Sequence, residues 1–195
     1  MSFRYDIRLS GSGGQGLILM GIILAEAIGI HEGKYVALTQ SYGPEARGGS
    51  SKTELVVSDS EIDYPKALKL DLLVCLTQQA CEDYYMDLKP EGLLIVDSTL
   101  VTQIPLPRYY GIPFTRIARE KLGKEMVANI VALGALSKLT GIVTPRALEK
   151  ALLARVPKGS EALNREAFKA GLAAAKQALK KPRFSVVGEW SDEDA

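Results

Sequence analysis

The chain has 195 residues, 47% of them apolar and 24% charged, which suits one folded domain with a sizeable core and excludes a disordered or fibrous composition. Its 24 Lys and Arg against 23 Asp and Glu leave a formal charge of +1, so there is no sequence-wide basic field to attract nucleic acid. The longest apolar run, residues 17–25, is broken by Glu26 and falls short of the roughly 18 residues that a bilayer span requires, so no membrane partner is expected.

Tyr5, Ile7 and Leu9 alternate with Arg4, Asp6 and Arg8, which reads as a first strand running into Gly11. The same charges break the continuous apolar stretch of a signal peptide, so the protein is expected in the cytoplasm. Residues 17–30 are apolar around nearly the whole circumference of a helix, whose end is bracketed by Gly29 and Gly33. A second strand at 35–39 gives way to a polar, Gly-rich segment at 41–51, then a third strand at 53–57. In the connection 58–69, Pro65 is placed to open a short helix, and 71–76 is an apolar run of the kind found inside parallel sheets.

A helix at 78–88, a turn at 89–92 and an apolar strand at 93–96 ending at Asp97 make a βαβ unit. Pro105, Pro107 and Pro113 forbid a continuous helix, and 109–114 reads as an edge strand. Helical spacing then dominates at 124–140, 144–155 and 160–180, with Thr144 as an N-cap ahead of Pro145. The expectation is a single α/β domain over residues 1–188, layered α/β/α, with a largely parallel or mixed sheet and a helical C-terminal third. An acidic tail at 189–195 follows, in which Trp190 either frays with its neighbours or anchors on the subunit body or a partner.

The two cysteines, Cys75 and Cys81, fit neither a CxxC pair nor the spacing of a zinc or iron-sulfur site. The single histidine, His31, lies in a Gly-rich connection, a poor setting for a Ser-His-Asp or Cys-His arrangement. No catalytic or metal-ligating residue is therefore assigned. Gly11-Ser12-Gly13-Gly14-Gln15-Gly16 satisfies G-x-G-x-x-G between a strand and a helix, where free N-H groups at the helix start can face an anion. A dinucleotide site also wants an acid at the end of the second strand, and Leu38-Thr39-Gln40-Ser41 supplies none. The loop is then either another anion site or a tight packing turn, and a free-standing Rossmann-like nucleotide-binding module is the alternative reading of the whole chain.

Ser41-Tyr42-Gly43-Pro44-Glu45-Ala46-Arg47-Gly48-Gly49 follows the second strand. If neighbouring parallel strands share one rim, this loop stands beside Gly13 to Gly16, where Arg47 can bind a carboxylate or phosphate and Glu45 can orient it. The plainer account is a surface turn with solvated charges. The candidate cofactor-binding residues are Gly11, Gly13, Gly14, Gln15, Gly16, Ser41, Tyr42, Glu45 and Arg47. The helix around 127–139 leaves little polar face, which asks for burial in the core or at a subunit interface; Asn129 and Ser137 are its main polar breaks, able to hydrogen-bond across a contact.

GSGGQG with its apolar helix, SYGPEARGG with its strand, and VANIVALGAL at 127–136 together resemble the gamma subunit of 2-oxoacid:ferredoxin oxidoreductases, in particular the 2-oxoglutarate-type branch. The resemblance implies an enzyme subunit without a complete active site of its own. It implies oxidative decarboxylation of a 2-oxoacid with coenzyme A to an acyl-CoA, with reduction of ferredoxin. Pyruvate, branched-chain 2-oxoacids and indolepyruvate are alternative substrates. It further implies alpha, beta and ferredoxin-like delta partner subunits, with thiamine diphosphate, Mg2+ and iron-sulfur clusters held by those partners. Replacing Arg47 by Ala is expected to impair assembly or coupling with coenzyme A and to leave the fold intact, because an exposed loop charge adds little stability. Co-purification and turnover of the assembled variant check this, and normal values in both would remove Arg47 from the site.

Overall fold

The computed structural model describes residues 3–42, 50–180 and 183–184. Strand β1 (Arg4–Ser12) keeps the alternation read from its sequence, with Ile7 and Leu9 buried toward one face and Asp6, Arg8 and Ser10 toward the other. Helix α1 (Leu17–Glu26) follows, extended by a π turn over Ala27–His31, and Gly33 at φ 69° redirects the chain. The remaining elements are β2 (Tyr35–Tyr42), β3 (Ser50–Ser58), β4 (Leu70–Cys75), α2 (Gln78–Tyr84), β5 (Leu88–Asp97), β6 (Arg108–Ile112), α3 (Phe114–Leu122), α4 (Ala128–Thr140), α5 (Pro145–Arg155), α6 (Glu161–Lys180) and β7 (Arg183–Phe184).

Seven strands form one mixed sheet in the order β2-β3-β1-β4-β5-β6-β7. β4 runs parallel to β1, and β5 and β6 continue in that direction. β3 is antiparallel to both β1 and β2, which makes β2 run the same way as β1 with one strand between them. The α/β/α layering holds, but the two layers are unequal. Ile7, Leu9, Leu55, Val57, Leu72, Val74 and Ile95 face a thick layer of α1 and α3 to α6. Val56, Leu73, Cys75, Leu94 and Val96 face a thin one, made of α2 and irregular connections. Both faces are apolar along β4 because both are covered.

The thin side also buries a charge. The Arg8 guanidinium is 4% exposed, pairs with Glu54 at 2.7 Å and with Asp87, and lies 4.7 Å from the Tyr84 ring centre. Arginines also explain why the connection 59–69 does not form the short helix expected at Pro65. Arg4 donates to the carbonyls of Tyr64 and Lys66, both at 2.9 Å, and Arg8 to that of Ala67 at 3.4 Å. Those carbonyls are thereby committed to side chains instead of a helical ladder.

Residues 89–92, expected as a turn, lie within β5 as an irregularity of its ladder. Leu70 pairs with Leu88 and Leu72 with Leu93, so four residues face Asp71 alone, and Lys89 is held to Asp71 at 2.7 Å. The strand expected at 109–114 is β6, and its outer edge pairs with β7 at Arg108 and Tyr109. Helix α3 is an element the sequence reading lacks. Phe114, Ile117, Ala118 and Leu122 carry helical spacing, but the start of α3 is anchored from β5 and has no side-chain cap of its own. By contrast, Thr144 caps α5 as expected, its hydroxyl accepting from the Ala147 N-H at 3.3 Å.

Helix α4 is a core helix: every residue from Asn129 to Ser137 is buried. It crosses α6 at backbone contact, where a Cβ added at Gly134 would meet the Phe168 carbonyl and one at Gly171 the Val131 carbonyl. Gly171→Val therefore forces the helices apart. The expected cost is about 3 kcal/mol, seen as a fall of roughly 10 °C in the thermal midpoint; an unchanged midpoint would show that the crossing can relax.

Candidate functional site

β1 is the switch point of the sheet. On one side its chain order leads by α1 to β2 and β3, on the other to β4, β5 and β6, and crevices outside the carboxyl ends of such strands are where open α/β sheets bind ligands. A cavity of about 270 Å3 lies at that rim, bounded by Gly14 and Gln15 after β1, Leu76 after β4, Asp97 at the end of β5, Thr115 in α3, and residues leading into and starting α4, among them Glu125 and Asn129.

The glycine loop is built by its own side chain and by two distant elements. Gln15 accepts from the Ser12 N-H at 2.8 Å and donates to the Leu76 carbonyl at 3.4 Å, while the Leu76 N-H bonds Ser10 O at 2.8 Å. Gly16, at φ 72°, is the N-cap of α1, and its carbonyl accepts from Asn129 Nδ2 at 3.3 Å. Among the described residues no side chain caps α1, and its first turn holds no acid, so the helix start has no capping partner on its own element.

Packing accounts for some of these glycines and not for others. A side chain at Gly11 would run into Gln15 and Leu76, and one at Gly16 into the Asn129 amide. A Cβ at Gly13 or Gly14 would meet nothing within 4 Å, though Gly14, at φ 89°, holds a left-handed backbone that itself calls for glycine. Bare backbone at these two positions faces open space beside the cavity.

Asp97 is fully buried and fully engaged. One carboxylate oxygen accepts from the Thr99 N-H at 3.0 Å, the other from the Thr115 N-H at 3.0 Å and hydroxyl at 2.5 Å. It ties β5 to the start of α3 and so fixes one wall of the cavity.

The premise that β1 and β2 are adjacent parallel strands does not hold, since β3 lies between them. The rim is nonetheless shared. Tyr42 pairs with Ser51 and Ser51 with Gly11, so the backbone of Ser41 and Tyr42 ends two strand spacings from the glycine loop, about 10 Å. Glu45 and Arg47 lie outside the described residues, as do the tail and Trp190. With β3 antiparallel beside β1, no parallel neighbour on that side ends at the rim to present the ribose-binding acid of a dinucleotide site.

The family model described as pyruvate ferredoxin/flavodoxin oxidoreductase matches residues 6–174. This chain belongs to that family. It is 51% identical over 181 residues to the 2-oxoglutarate synthase subunit KorC of Methanocaldococcus jannaschii, covering 91% of this chain and 97% of the relative. The solved gamma subunit of the keto/oxoacid ferredoxin oxidoreductase from Geobacter sulfurreducens PCA superposes with a TM-score of 0.82 at 49% identity, covering 90% of this chain and 98% of the other. The 2-oxoglutarate:ferredoxin oxidoreductase from Magnetococcus marinus, solved with 2-oxoglutarate, coenzyme A and succinyl-CoA bound, matches with a TM-score of 0.80 at 27% identity. That match covers 94% of this chain, which spans 33% of the other. The resemblance drawn from GSGGQG, SYGPEARGG and VANIVALGAL is borne out.

The described residues of this family member do not fit a metal ion or an iron-sulfur cluster. No three His, Cys, Asp or Glu side chains among them converge. Cys75 and Cys81 hydrogen-bond each other between β4 and α2; burial pushes the Cys75 thiol well up, and the bond from Cys75 holds Cys81 below its ordinary value. No helix among the described residues is long and apolar enough to cross a membrane.

Two residues of the rim, Asp97 and Asn129, were not named as site residues from the sequence. Asn129 carried a signal, a polar residue in an otherwise apolar helix. Ser137, the other break, bonds the Gly134 carbonyl of its own helix at 3.0 Å. Asp97→Ala is expected to leave three donors unpaired, two at the start of α3 and one just after β5, and to lower the unfolding free energy by about 3 kcal/mol. Urea denaturation measures this, and a change within error would mean that Asp97 does not brace the wall.

Proposed function

We propose that this chain is the gamma subunit of a 2-oxoglutarate:ferredoxin oxidoreductase and that its rim cavity takes a phosphate-bearing part of coenzyme A. The assignment of the subunit rests on the near full-length identity to a 2-oxoglutarate synthase subunit. The assignment of the site rests on Gly13, whose missing side chain neither packing nor backbone conformation requires, beside a helix start that no side chain among the described residues caps. Phosphate at such a helix start is stabilised by the free N-H groups and the helix dipole, and bare glycine lets it approach closely.

In this reading the complex works in the cytoplasm with alpha, beta and ferredoxin-like delta subunits. It converts 2-oxoglutarate and coenzyme A to succinyl-CoA and carbon dioxide, passing two electrons to ferredoxin. Thiamine diphosphate with Mg2+, held by partner chains, supplies the electron sink, and clusters in partner chains carry the electrons. In this reading the reacting groups belong to partner chains. This chain's part is to orient the thiol carrier, with Gln15 and Asn129 fixing the loop that receives it. Ser41, Tyr42, Glu45 and Arg47 are proposed to contribute to coenzyme A binding or to meet a partner subunit.

Two measurements test this. Co-expression with alpha, beta and delta chains should give a complex that reduces a viologen dye with 2-oxoglutarate and coenzyme A, whereas substantial turnover by the chain alone would count against a division of labour. In that complex, Gly13→Asp places a carboxylate in open space at the helix start. Coenzyme A should bind about tenfold more weakly, within the range for an anion at a helix N-terminus, with the KM for 2-oxoglutarate unchanged. Unaltered coenzyme A binding would move the phosphate site elsewhere.

A further inference from the structure

Among the described residues, five polar side chains line the rim cavity: Gln15, Asp97, Thr115, Glu125 and Asn129. Four are committed within the protein. Gln15 spends its amide on Ser12 and Leu76, Asp97 its carboxylate on Thr99 and Thr115, Thr115 its hydroxyl on Asp97, and Glu125 pairs with Arg119 at 2.8 Å. Asn129 is committed by one end. Its Nδ2 donates to Gly16 O, and Oδ1 is buried without a partner, in a residue only 5% exposed.

An acceptor left unpaired in a buried site carries the desolvation penalty of its group, and α4 is otherwise apolar there. The carbonyl that Nδ2 bonds belongs to the N-cap of α1, so one cavity-lining amide both sets the position of the helix start and carries the unpaired acceptor. We propose that Asn129 Oδ1 receives a hydrogen bond from an N-H or O-H group of the molecule whose anionic part sits at the start of α1. The site therefore selects a ligand that presents a donor a short way from its phosphate. A bare phosphate or polyphosphate lacks that donor. This rests on the reading of the cavity as the coenzyme A site, and coenzyme A carries such donors in its hydroxyl, amino and amide groups.

The test uses the assembled complex with coenzyme A as the probe, its Kd measured by calorimetry alongside the KM values for coenzyme A and 2-oxoglutarate. Asn129→Leu keeps the branched shape, with slightly more bulk, and removes both polar atoms. Coenzyme A binding should weaken about tenfold or more, with the KM for 2-oxoglutarate unmoved. Asn129→Asp should bind weakly at pH 8 and recover, relative to wild type, as the pH is lowered toward 6. A protonated carboxyl can donate to Gly16 O and still accept, and a buried carboxyl titrates above its ordinary range.

Because the protonated carboxyl also restores the bond to Gly16 O, recognition is separated from positioning with inorganic pyrophosphate at pH 8 as a second probe: Asn129→Leu should lose coenzyme A affinity and keep pyrophosphate affinity, and an equal loss of both would make Asn129 a positioning residue only and overturn the proposal. If Gly13→Asp weakens binding and both Asn129 variants bind normally, Asn129 has no part in recognition and the glycine loop keeps its role. If none of the three variants alters binding, the cavity is not the coenzyme A site and both readings fall. Failure of Asn129→Asp to assemble at every pH would make Asn129 a scaffold residue and overturn the proposal.

Discussion

Helix α4 is apolar on nearly every side, and the only arrangement that removes all of that surface from water sandwiches it between the sheet, α3, α5 and a second helix at backbone distance. Gly134 and Gly171 make the approach of α6 possible, and the approach leaves little freedom for α4 to slide or roll. Its first turn is carried to the rim of the sheet as a consequence. Asn129 then reaches Gly16, and a contact spanning 113 positions ties the deepest helix to the start of α1. Core packing and site geometry are therefore one constraint in this molecule.

The rim is held from three directions. Gln15 closes the glycine loop on itself and on Leu76; Asp97 fastens the end of β5 to α3; Asn129 fixes the start of α1 from below. None of these bonds requires a bound molecule, so the cavity is largely formed in advance of any ligand, which lowers the ordering cost of binding. The β2–β3 hairpin brings the backbone of Ser41 and Tyr42 to the same rim through the shared ladder of β3.

Much of this was legible in the residues. Alternation in β1, the all-round apolar stretches of α1 and α4, the Thr144-Pro145 start of α5 and the placement of the glycine loop between a strand and a helix all depend on neighbours close in sequence, and each was read correctly. The features that escaped depend on distant partners. Helix α3 begins where Asp97 offers it an anchor, so local capping rules could not find its start. The connection at Pro65 was denied a helix by Arg4 and Arg8, more than fifty positions away. The turn chemistry of residues 89–92 was real but was absorbed into β5, because the chain continues along the same strand direction. Strand order is the clearest case. Nothing local tells β3 to insert beside β1, and the rule of adjacent parallel strands gave the right rim for a reason that the topology replaces.

The unequal covering of the sheet bears on how the subunit breathes. The face toward α4 is sealed by five helices, whereas the opposite face is closed by seven residues of α2 and by segments without regular structure. Sub-global opening in folded domains begins where few apolar contacts must be surrendered, and here that is the α2 side. Such an opening would wet Arg8, the charge that the closed state keeps dry, so the excursion is cushioned by hydration of its guanidinium. The rim cavity, braced chiefly by elements of the thick layer, can keep its shape while the other side fluctuates.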